Sequence, residues 1–478
     1  MLAAAPARRP INGTQAVLEN VTEPARVPLR QVLRDMRPFS VLWIGQLVSG
    51  LGSGLTGFAL PVWIYQETGS AEAFGLLFFA AMVPAVLMSP FAGALVDRWD
   101  RKKVLLFSDG FAALMSLAIA ALVFTDSFEI WHLFVISVLG SAIGTFAGPA
   151  FTATMGVLVP REHFTRASGL LHTSGAVNGI LTPLLAGVLV TTIGLGGILV
   201  IDFATFLVAV GTLATVRIPR PAPSGVPRRP LLREAHDGWL FVRRHRGLLM
   251  LMLYFPVINL ATGMVSPLFS PMVLSFATPA ELGVVVSLSS IGMLAGGVLL
   301  STWGGPRNLV RGLIAGQLLG AVCLALVGLR PSLPLVAGAM FLNLVLMPTA
   351  QSCSQALWLR KTPQEMMGRV LAIRSTLALS TAPIAALACG PLAERVFNPL
   401  LMPGGALAGS VGRVLGVGPG RGIGLMCVLI AGFVLVATLV LYAHPRVRRL
   451  QDEVPDAAPA RPAPGPGVPA PQTAAAGA

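Results

Sequence analysis

The sequence predicts an all-α polytopic membrane protein with twelve transmembrane helices, arranged as two parallel six-helix pseudo-repeats. Three observations lead to this fold class: the composition, the number of long apolar runs, and a repeat of landmarks along the chain. Of the 478 residues, 54% are hydrophobic and only 11% are charged, and the mean hydropathy is +0.77. Soluble domains contain about 25% charged residues, so this composition excludes a water-soluble globule.

Twelve apolar runs are each long enough to cross a bilayer, which takes about 20 residues of α-helix. Six of them form a predicted N-terminal half over residues 38–216, at about 39–65, 72–96, 104–125, 129–158, 165–191 and 195–216. The other six form a predicted C-terminal half over residues 248–444, at about 248–276, 281–302, 309–329, 332–358, 366–396 and 421–443. We call these runs spans 1 to 12.

Polar segments complete the predicted organisation. A cytoplasmic Arg-bearing tail covers residues 1–37, a cytoplasmic Pro- and Arg-rich linker with an amphipathic segment covers 217–247, and a Pro/Ala-rich tail covers 445–478. The last of these has too little apolar surface to bury and is predicted to be disordered. The first tail lacks the apolar core of a cleaved signal peptide, so span 1 would serve as the insertion signal. The Gly-rich stretch 399–422 is expected to be a flexible outer loop.

The distribution of basic residues predicts the orientation in the membrane. With both termini cytoplasmic, all but four of the 34 Lys and Arg residues lie on the inner side, and the four are Arg330, Arg395, Arg413 and Arg421. This bias satisfies the positive-inside rule and supports an even number of spans. The net charge of +14 therefore reflects orientation rather than nucleic-acid binding. We expect a monomeric, multi-pass protein of the cell membrane.

The two halves carry related landmarks. Three pairs are 203 residues apart: Gly93 with Gly296, Gly187 with Gly390, and a Pro-x-Glu motif followed by Arg at 160–166 with its copy at 363–369. Matching offsets at three places indicate two six-span halves of the same orientation, which is the parallel-repeat architecture of one large class of transporters.

A dense cluster of charge lies between spans 2 and 3, where only a short loop at the membrane surface fits. A glycine lets two helices approach, an acid suits the positive N-terminus of a neighbouring helix, and basic residues favour the anionic inner leaflet. We predict that this loop forms a breakable contact, the latch, whose residues are Gly93, Asp97, Arg98, Arg101 and Lys102. The alternative is that the basic residues only set the topology. The counterpart around Gly296 keeps the glycines and lacks the acid, so the latch is asymmetric.

The loop resembles the signature loop of the major facilitator superfamily, and the resemblance extends over about residues 36–445. Asp100 stands where most members have Gly, as is frequent in the subgroup that contains macrolide, drug and siderophore exporters. The resemblance implies the major facilitator fold and alternating access by rocking of the two halves. It also implies that Asp97 faces the start of span 11, near Glu365 to Gly368, and that the latch closes the inner side.

Span 5 carries small residues at a four-residue spacing: Gly175, Gly179, Pro183 and Gly187. This spacing places them on one helix face, where a partner helix can pack closely, and Pro183 adds a kink. The pattern is similar to the span-5 motif of exporters in the superfamily, although Thr182 replaces its usual Gly. It favours efflux, and the alternative is ordinary small-residue packing.

Ionisable residues within spans are costly and usually functional. Asp202 in span 6 is the first candidate for proton or cation coupling, and Asp109 in span 3 is the second candidate, with a structural role as its alternative. Arg374 in span 11 is expected to reach the inner interface or to pair with an acid. Span 4 lacks the Arg that many proton-coupled exporters of the superfamily carry.

By analogy with the superfamily, spans 1, 4, 7 and 10 line a central cavity. Candidates are Gln46, Phe58, Trp63, Phe146, Asn259, Phe269, Asn343 and Gln351; for each, helix packing is the alternative. A largely apolar and aromatic surface with a few amides suits a bulky amphipathic or lipophilic compound.

These features together predict a secondary active transporter that exports a hydrophobic or amphipathic small molecule of the drug, macrolide or siderophore class by proton antiport. The alternatives are a metabolite importer or lipid transporter of the same fold, and a transport-inactive sensor or scaffold. We expect no enzymatic activity, cofactor or metal, because the sequence has no catalytic constellation and no phosphate-binding loop. The cysteines are predicted to pack within spans: Cys323, Cys353, Cys389 and Cys427.

Overall fold

The computed structural model describes residues 36–96, 98–219 and 239–453, and these residues are almost entirely helical. Twelve of their helical segments are long and apolar enough to cross a membrane, which confirms the predicted fold class of a twelve-span helical membrane protein. Nearly all of the predicted N-terminal tail, most of the predicted linker and residues 454–478 lie outside the described residues. The start of the predicted C-terminal tail is not disordered. It forms two short helices, Pro445–Arg448 and Leu450–Glu453, because Val447 and Leu450 are buried there.

The spans agree closely with the apolar runs of the sequence. Spans 1 to 6 cover Arg37–Thr68, Ala71–Val96, Arg101–Phe124, Ile130–Leu158, Phe164–Thr192 and Gly194–Thr215. Span 7 consists of two helices, Arg246–Gly263 and Val265–Leu274. Spans 8 to 12 cover Pro279–Trp303, Leu309–Leu329, Leu333–Lys361, Gln364–Pro391 and Arg421–Ala443.

Capping residues define where several spans begin. The Asp100 carboxylate accepts hydrogen bonds from the backbone N–H of Lys102 and Lys103 at 3.1 and 3.4 Å, which caps span 3. Thr278 and Glu281 form a capping box at the start of span 8. An N-cap of this kind stabilises a helix by about 1 kcal/mol. Asp100, the departure from the usual superfamily loop, therefore has a local structural role.

The Gly-rich stretch 399–422 differs from the expected flexible loop. Span 11 continues through a π-helical turn, Leu392–Phe397, into the short helix Asn398–Leu401, and a second short helix covers Gly412–Leu415. Leu401 and Leu415 are buried together with Leu425 of span 12. The stretch folds onto span 12 because leucines recur among its glycines and bury a small apolar cluster.

The two halves meet at one end of the bundle, where spans 1 and 2, 5 and 6, 7 and 8, and 11 and 12 are connected. We call this the closed end. Two helix pairs form the contact: span 5 packs against span 8, and span 2 packs against span 11. In the part of the chain that the structure describes, hydrogen bonds and close glycine contacts between the halves extend no deeper than Gly179 and Ser290. The described contacts between the halves therefore lie towards the closed end.

Glycines make both contacts possible. A Cβ atom at Gly187 of span 5 would lie 2.6 Å from the Pro279 carbonyl oxygen of span 8. A Cβ atom at Gly390 of span 11 would lie 2.5 Å from the Glu72 Cα atom of span 2. Gly187 and Gly390 are one of the pairs that are 203 residues apart, so the sequence repeat corresponds to equivalent positions in the two contacts.

We predict that Gly283→Ala weakens the closed end, because its new Cβ atom would overlap the Pro183 carbonyl oxygen of span 5. Overpacking of this kind costs about 1 to 3 kcal/mol. Thermal unfolding of the purified protein should show the loss, and spin labels at Ser127 and Val417, at the closed end of the two halves, should show longer distances. Gly297→Ala in the same span is the matched control, since no atom lies within 4 Å of its Cβ position. Equal stability and equal distances in the two variants would contradict the prediction.

Candidate functional site

A cavity of about 940 Å³ lies in the C-terminal half, bounded by spans 7, 9, 10, 11 and 12. Apolar side chains make up about half of its lining residues and most of its lining surface, and hydroxyl-bearing side chains add scattered polarity. The longer polar side chains in the lining are Asn259, Gln317, Asn343, Gln351, Gln355 and Arg374. A pocket of this size with a mostly apolar wall and a few amides is typical of a site for an organic small molecule.

The predicted cavity residues divide between the two halves. Asn259, Asn343, Gln351 and Phe269 line the cavity. Asn343 also donates a hydrogen bond from Nδ2 to the Gly320 carbonyl at 3.1 Å, which joins spans 10 and 9. The predicted residues of spans 7 and 10 thus line one cavity.

The predicted residues of spans 1 and 4 do not line this cavity. Gln46 donates a hydrogen bond to an acid of span 3, Phe58 packs against two buried apolar clusters, and Phe146 packs against a cluster between spans 1, 3 and 6. Trp63 packs against Phe128, with ring centroids 4.9 Å apart. The physical reason is helix packing, which turns these four side chains towards neighbouring helices.

Arg374 was expected to reach the interface or to pair with an acid, but it lines the cavity. Its Nη1 donates to Gln355 Oε1 at 2.8 Å, and its Nη2 donates to Ser354 Oγ at 3.1 Å. The guanidinium carbon lies 5.7 Å from the ring centroid of Phe255 and 5.8 Å from that of Trp358. Within the described ranges no carboxylate forms an ion pair with it, so its described hydrogen-bond partners are neutral.

Asp202 is buried where spans 1, 3 and 6 meet, outside the described cavity. Its Oδ2 accepts hydrogen bonds from the hydroxyls of Thr56 and Ser116, each at 2.8 Å, and its side chain is 2% exposed. Its Oδ1 is buried without a hydrogen-bond partner. Gly52 allows this packing, because a Cβ atom there would lie 2.9 Å from Oδ1. The Oδ2 atom of this carboxyl therefore accepts its hydrogen bonds from neutral hydroxyl groups.

Asp109, the second buried acid, lies on span 3 and pairs with span 1. Gln46 Nε2 donates to its Oδ2 at 2.8 Å. The two acids therefore share a feature that the sequence did not reveal: each is hydrogen-bonded by a neutral side chain of span 1.

The loop after span 2 binds its own half through its basic residues. Arg101 Nη1 donates to the Ala153 carbonyl at 3.0 Å, and Lys102 Nζ donates to the carbonyls of Ala214 and Val216 at 2.9 and 2.7 Å. Arg98 is exposed. Gly93 lies in the last turn of span 2, and Asp97 lies outside the described residues. The structure thus places three basic side chains of the predicted latch and leaves its acid undescribed.

The span-5 residues lie at different depths of the contact between the halves. A Cβ atom at Gly175 would meet open space, whereas one at Gly179 would touch Ser290 at 3.4 Å. Pro183 is buried, and its carbonyl faces Gly283 of span 8. From Gly179 towards the closed end, the four-residue spacing therefore allows span 5 to pack closely against span 8.

Sequence reasoning missed an ion pair between the halves at the closed end. Arg395 Nη2 lies 2.7 Å from Glu72 Oε1, and Glu394 Oε1 accepts a hydrogen bond from the Glu72 backbone N–H at 2.9 Å. The π-helical turn Leu392–Phe397 carries both partners of Glu72. The sequence contained one indication of this ion pair, because Arg395 is one of the few basic residues predicted on the outer side.

Metal ligands do not cluster in the described part of the chain, where no three His, Cys, Asp or Glu residues come together. The four cysteines are buried within spans and form no disulfide.

Comparison with known proteins agrees with this architecture. The family model of the Major Facilitator Superfamily matches residues 42–386. Macrolide efflux protein A of Streptococcus pyogenes is 26% identical over 368 residues, which cover 75% of this chain and 90% of that protein. Multidrug efflux pump Tap of Mycolicibacterium fortuitum is 25% identical and covers 75% of this chain and 89% of its own length. Enterobactin exporter EntS of Citrobacter koseri is 27% identical, with coverages of 71% and 81%.

Solved structures show the same fold at lower sequence identity. A bacterial homolog of the human lysosomal transporter Spinster, in an inward-facing and unoccupied conformation, aligns with a TM-score of 0.64 at 14% identity and covers 87% of this chain and 97% of that one. The nucleoside transporter NupG aligns with a TM-score of 0.61 at 14% identity, with coverages of 85% and 99%. At these identities the likeness shows the fold alone.

We predict that Glu72→Gln loosens the closed end by removing the ion pair with Arg395. The two side chains are 23% and 71% exposed, and exposed pairs contribute about 0.2 to 1 kcal/mol. The fraction of molecules in which the two halves have separated at the closed end should therefore rise about one-and-a-half- to fivefold. Distance distributions between spin labels at Ser127 and Val417 measure this fraction.

Arg395→Gln should have the same effect, and the double variant should add little, because either change removes the same interaction. Glu67→Gln, at an exposed position near the end of span 1, is the matched control. Additive effects of the two single variants would show that the pair is not a coupled contact.

Proposed function

Because the chain belongs to the Major Facilitator Superfamily, we propose that it exports a hydrophobic or amphipathic small molecule by proton antiport and alternating access. The compound would be of the drug, macrolide or siderophore class. The observation that carries this proposal is the cavity of about 940 Å³, with its mostly apolar wall and its few amides. Relatives named as macrolide, multidrug and enterobactin exporters support the direction of transport.

The arrangement of the halves supports alternating access. Their described contacts lie at the closed end, and we propose that the halves part towards the opposite end. If both termini are cytoplasmic, as the basic residues indicate, the closed end faces outwards and the cavity is open to the cytoplasm. An exporter in this state would be ready to take up its substrate from inside the cell, at the cell membrane.

Asp202 is the proposed coupling acid, with Asp109 as the second candidate. A carboxylate without a counter-ion in a low-dielectric interior is costly, and binding a proton removes that cost. The hydroxyls of Thr56 and Ser116 fix the orientation of the Asp202 carboxyl. Since Thr56 belongs to span 1 and Ser116 to span 3, a change in helix packing would change the environment in which Asp202 holds its proton.

The loop after span 2 is the proposed latch of the cytoplasmic side. Arg101 and Lys102 tie the loop to carbonyls of spans 4 and 6 and to the chain just after span 6. These bonds would present Asp97 to span 11 when the cytoplasmic side closes. The closed end would then open as the Glu72–Arg395 pair breaks.

The proposal predicts lower accumulation of lipophilic compounds in cells that express the chain. The assay uses cells without their main efflux pumps and a panel of fluorescent dyes and antibiotics of neutral, cationic and anionic character. Accumulation of at least one compound should fall and should recover when a protonophore collapses the proton gradient. A membrane-inserted chain that lowers no compound's accumulation would contradict export. Raised accumulation would instead favour an importer of the same fold.

We predict that Asp202→Asn abolishes uphill export but retains substrate exchange in proteoliposomes, tested with the compound found in the accumulation assay. Uphill export under an imposed proton gradient should fall to the level of liposomes without the protein, because the amide cannot exchange a proton. Exchange of labelled for unlabelled compound without a gradient should persist, which also shows that the variant is folded. Asp109→Asn tests the second candidate in the same assay: it should retain gradient-driven export if Asp202 is the coupling acid, and its loss of export with Asp202→Asn active would assign the role to Asp109. Undiminished uphill export by Asp202→Asn would contradict the coupling role.

A further inference from the structure

The cavity has an unusual charge distribution. Among the described residues, its lining contains no Asp, Glu or Lys, and Arg374 is the only charged residue whose side chain helps to form it. Amides and hydroxyls make up the rest of the polar surface. The cavity therefore carries one positive charge that its own wall does not neutralise.

Arg374 is held in a defined orientation. Gln355 Oε1 and Ser354 Oγ of span 10 accept from its two terminal nitrogens at 2.8 and 3.1 Å. The rings of Phe255 and Trp358 lie within 6 Å of the guanidinium carbon, a distance at which cation–π attraction operates. A guanidinium has five N–H donors in a rigid fork. The described hydrogen bonds occupy only part of this fork.

Its partners are all neutral, which is a costly arrangement for a charge inside a membrane protein. Aromatic faces and single hydroxyl or amide acceptors offset part of that cost. A carboxylate or another oxyanion would offset much more, because it can accept two parallel hydrogen bonds from one guanidinium. By the same electrostatics, a cationic compound would be repelled from this wall.

We propose that Arg374 binds an acidic group of the exported compound, which narrows the proposed range of drugs, macrolides and siderophores to lipophilic or amphipathic acids and excludes those whose only charge is a basic amine. This inference rests on the proposed export function for its physiological meaning, but the binding itself can be measured without transport. The apolar lining, including Phe255 and Phe269, would contact the lipophilic body of the compound. The amides Asn259, Gln317 and Gln351 would contact its neutral polar groups.

Three probes with one scaffold test this charge preference: 1-pyrenebutyric acid, its methyl ester and 1-pyrenebutylamine. They present an anion, a neutral group and a cation on the same lipophilic body at neutral pH. Binding to the full chain in nanodiscs is followed by fluorescence, since Trp358 lies close to Arg374 and can transfer its excitation energy to pyrene. Parallel titrations with empty nanodiscs subtract partitioning into lipid.

The acid should bind about tenfold more tightly than the ester, because a hydrogen bond to a charged partner is worth about one power of ten in affinity. The amine should bind more weakly than the ester. Arg374→Gln should weaken binding of the acid about tenfold and change binding of the ester by less than about twofold. Arg374→Lys keeps the charge but not the fork, so it should retain a reduced preference for the acid. Arg360→Gln removes an exposed charge at the end of span 10 and should change nothing.

The proposal is overturned if the acid shows no saturable binding, if it binds no more tightly than the ester, or if its preference survives in Arg374→Gln. Should Arg374→Gln fail to fold, the affinities of the three probes for the wild-type protein and for Arg374→Lys test the proposal instead. Failure of the acid preference would leave the export proposal intact. Absence of efflux in the accumulation assay, together with a clear acid preference, would contradict the export proposal and still support an anion-binding site at Arg374.

Discussion

The close approach of helix backbones at the closed end is the constraint on which the rest of the structure depends. Gly187 and Gly390 let span 5 reach span 8 and span 11 reach span 2 at distances that a side chain would forbid. Small residues are the usual means of close packing in a membrane, where no hydrophobic effect drives helices together. The described contacts between the halves lie at this end, and the cavity lies within the C-terminal half.

The two halves share a fold but differ in their chemistry. The N-terminal half contains the buried acids, Asp109 and Asp202, and span 1 donates a hydrogen bond to each of them, through Gln46 and Thr56. The C-terminal half contains the cavity and Arg374. An antiporter built this way would keep its proton site and its substrate site on different halves. Rocking of the halves would then be the means by which each site influences the other.

Charged residues differ in function at the two ends of the bundle. Beside the ion pair of Glu72 at the closed end, a π-helical turn brings both Glu394 and Arg395 to the start of span 2. At the opposite end, Arg101 and Lys102 bind backbone carbonyls of their own half, and Asp100 caps span 3. The unusual acid in the signature loop thus has a local role at the start of a helix.

The sequence by itself determined the number of spans, their bounds to within a few residues, and the relation between the halves. These are local properties, because a bilayer requires about 20 apolar residues for each crossing and a repeat can be found by comparing positions. Only the tertiary structure decided which side chains share a site. Gln46, Phe58 and Phe146 turned out to pack against helices, and Arg374 turned out to lie in the cavity. In spans that are apolar on every face, hydropathy does not distinguish the face towards lipid from the face towards protein. The rotation of each helix about its axis is settled by packing between residues far apart in the chain.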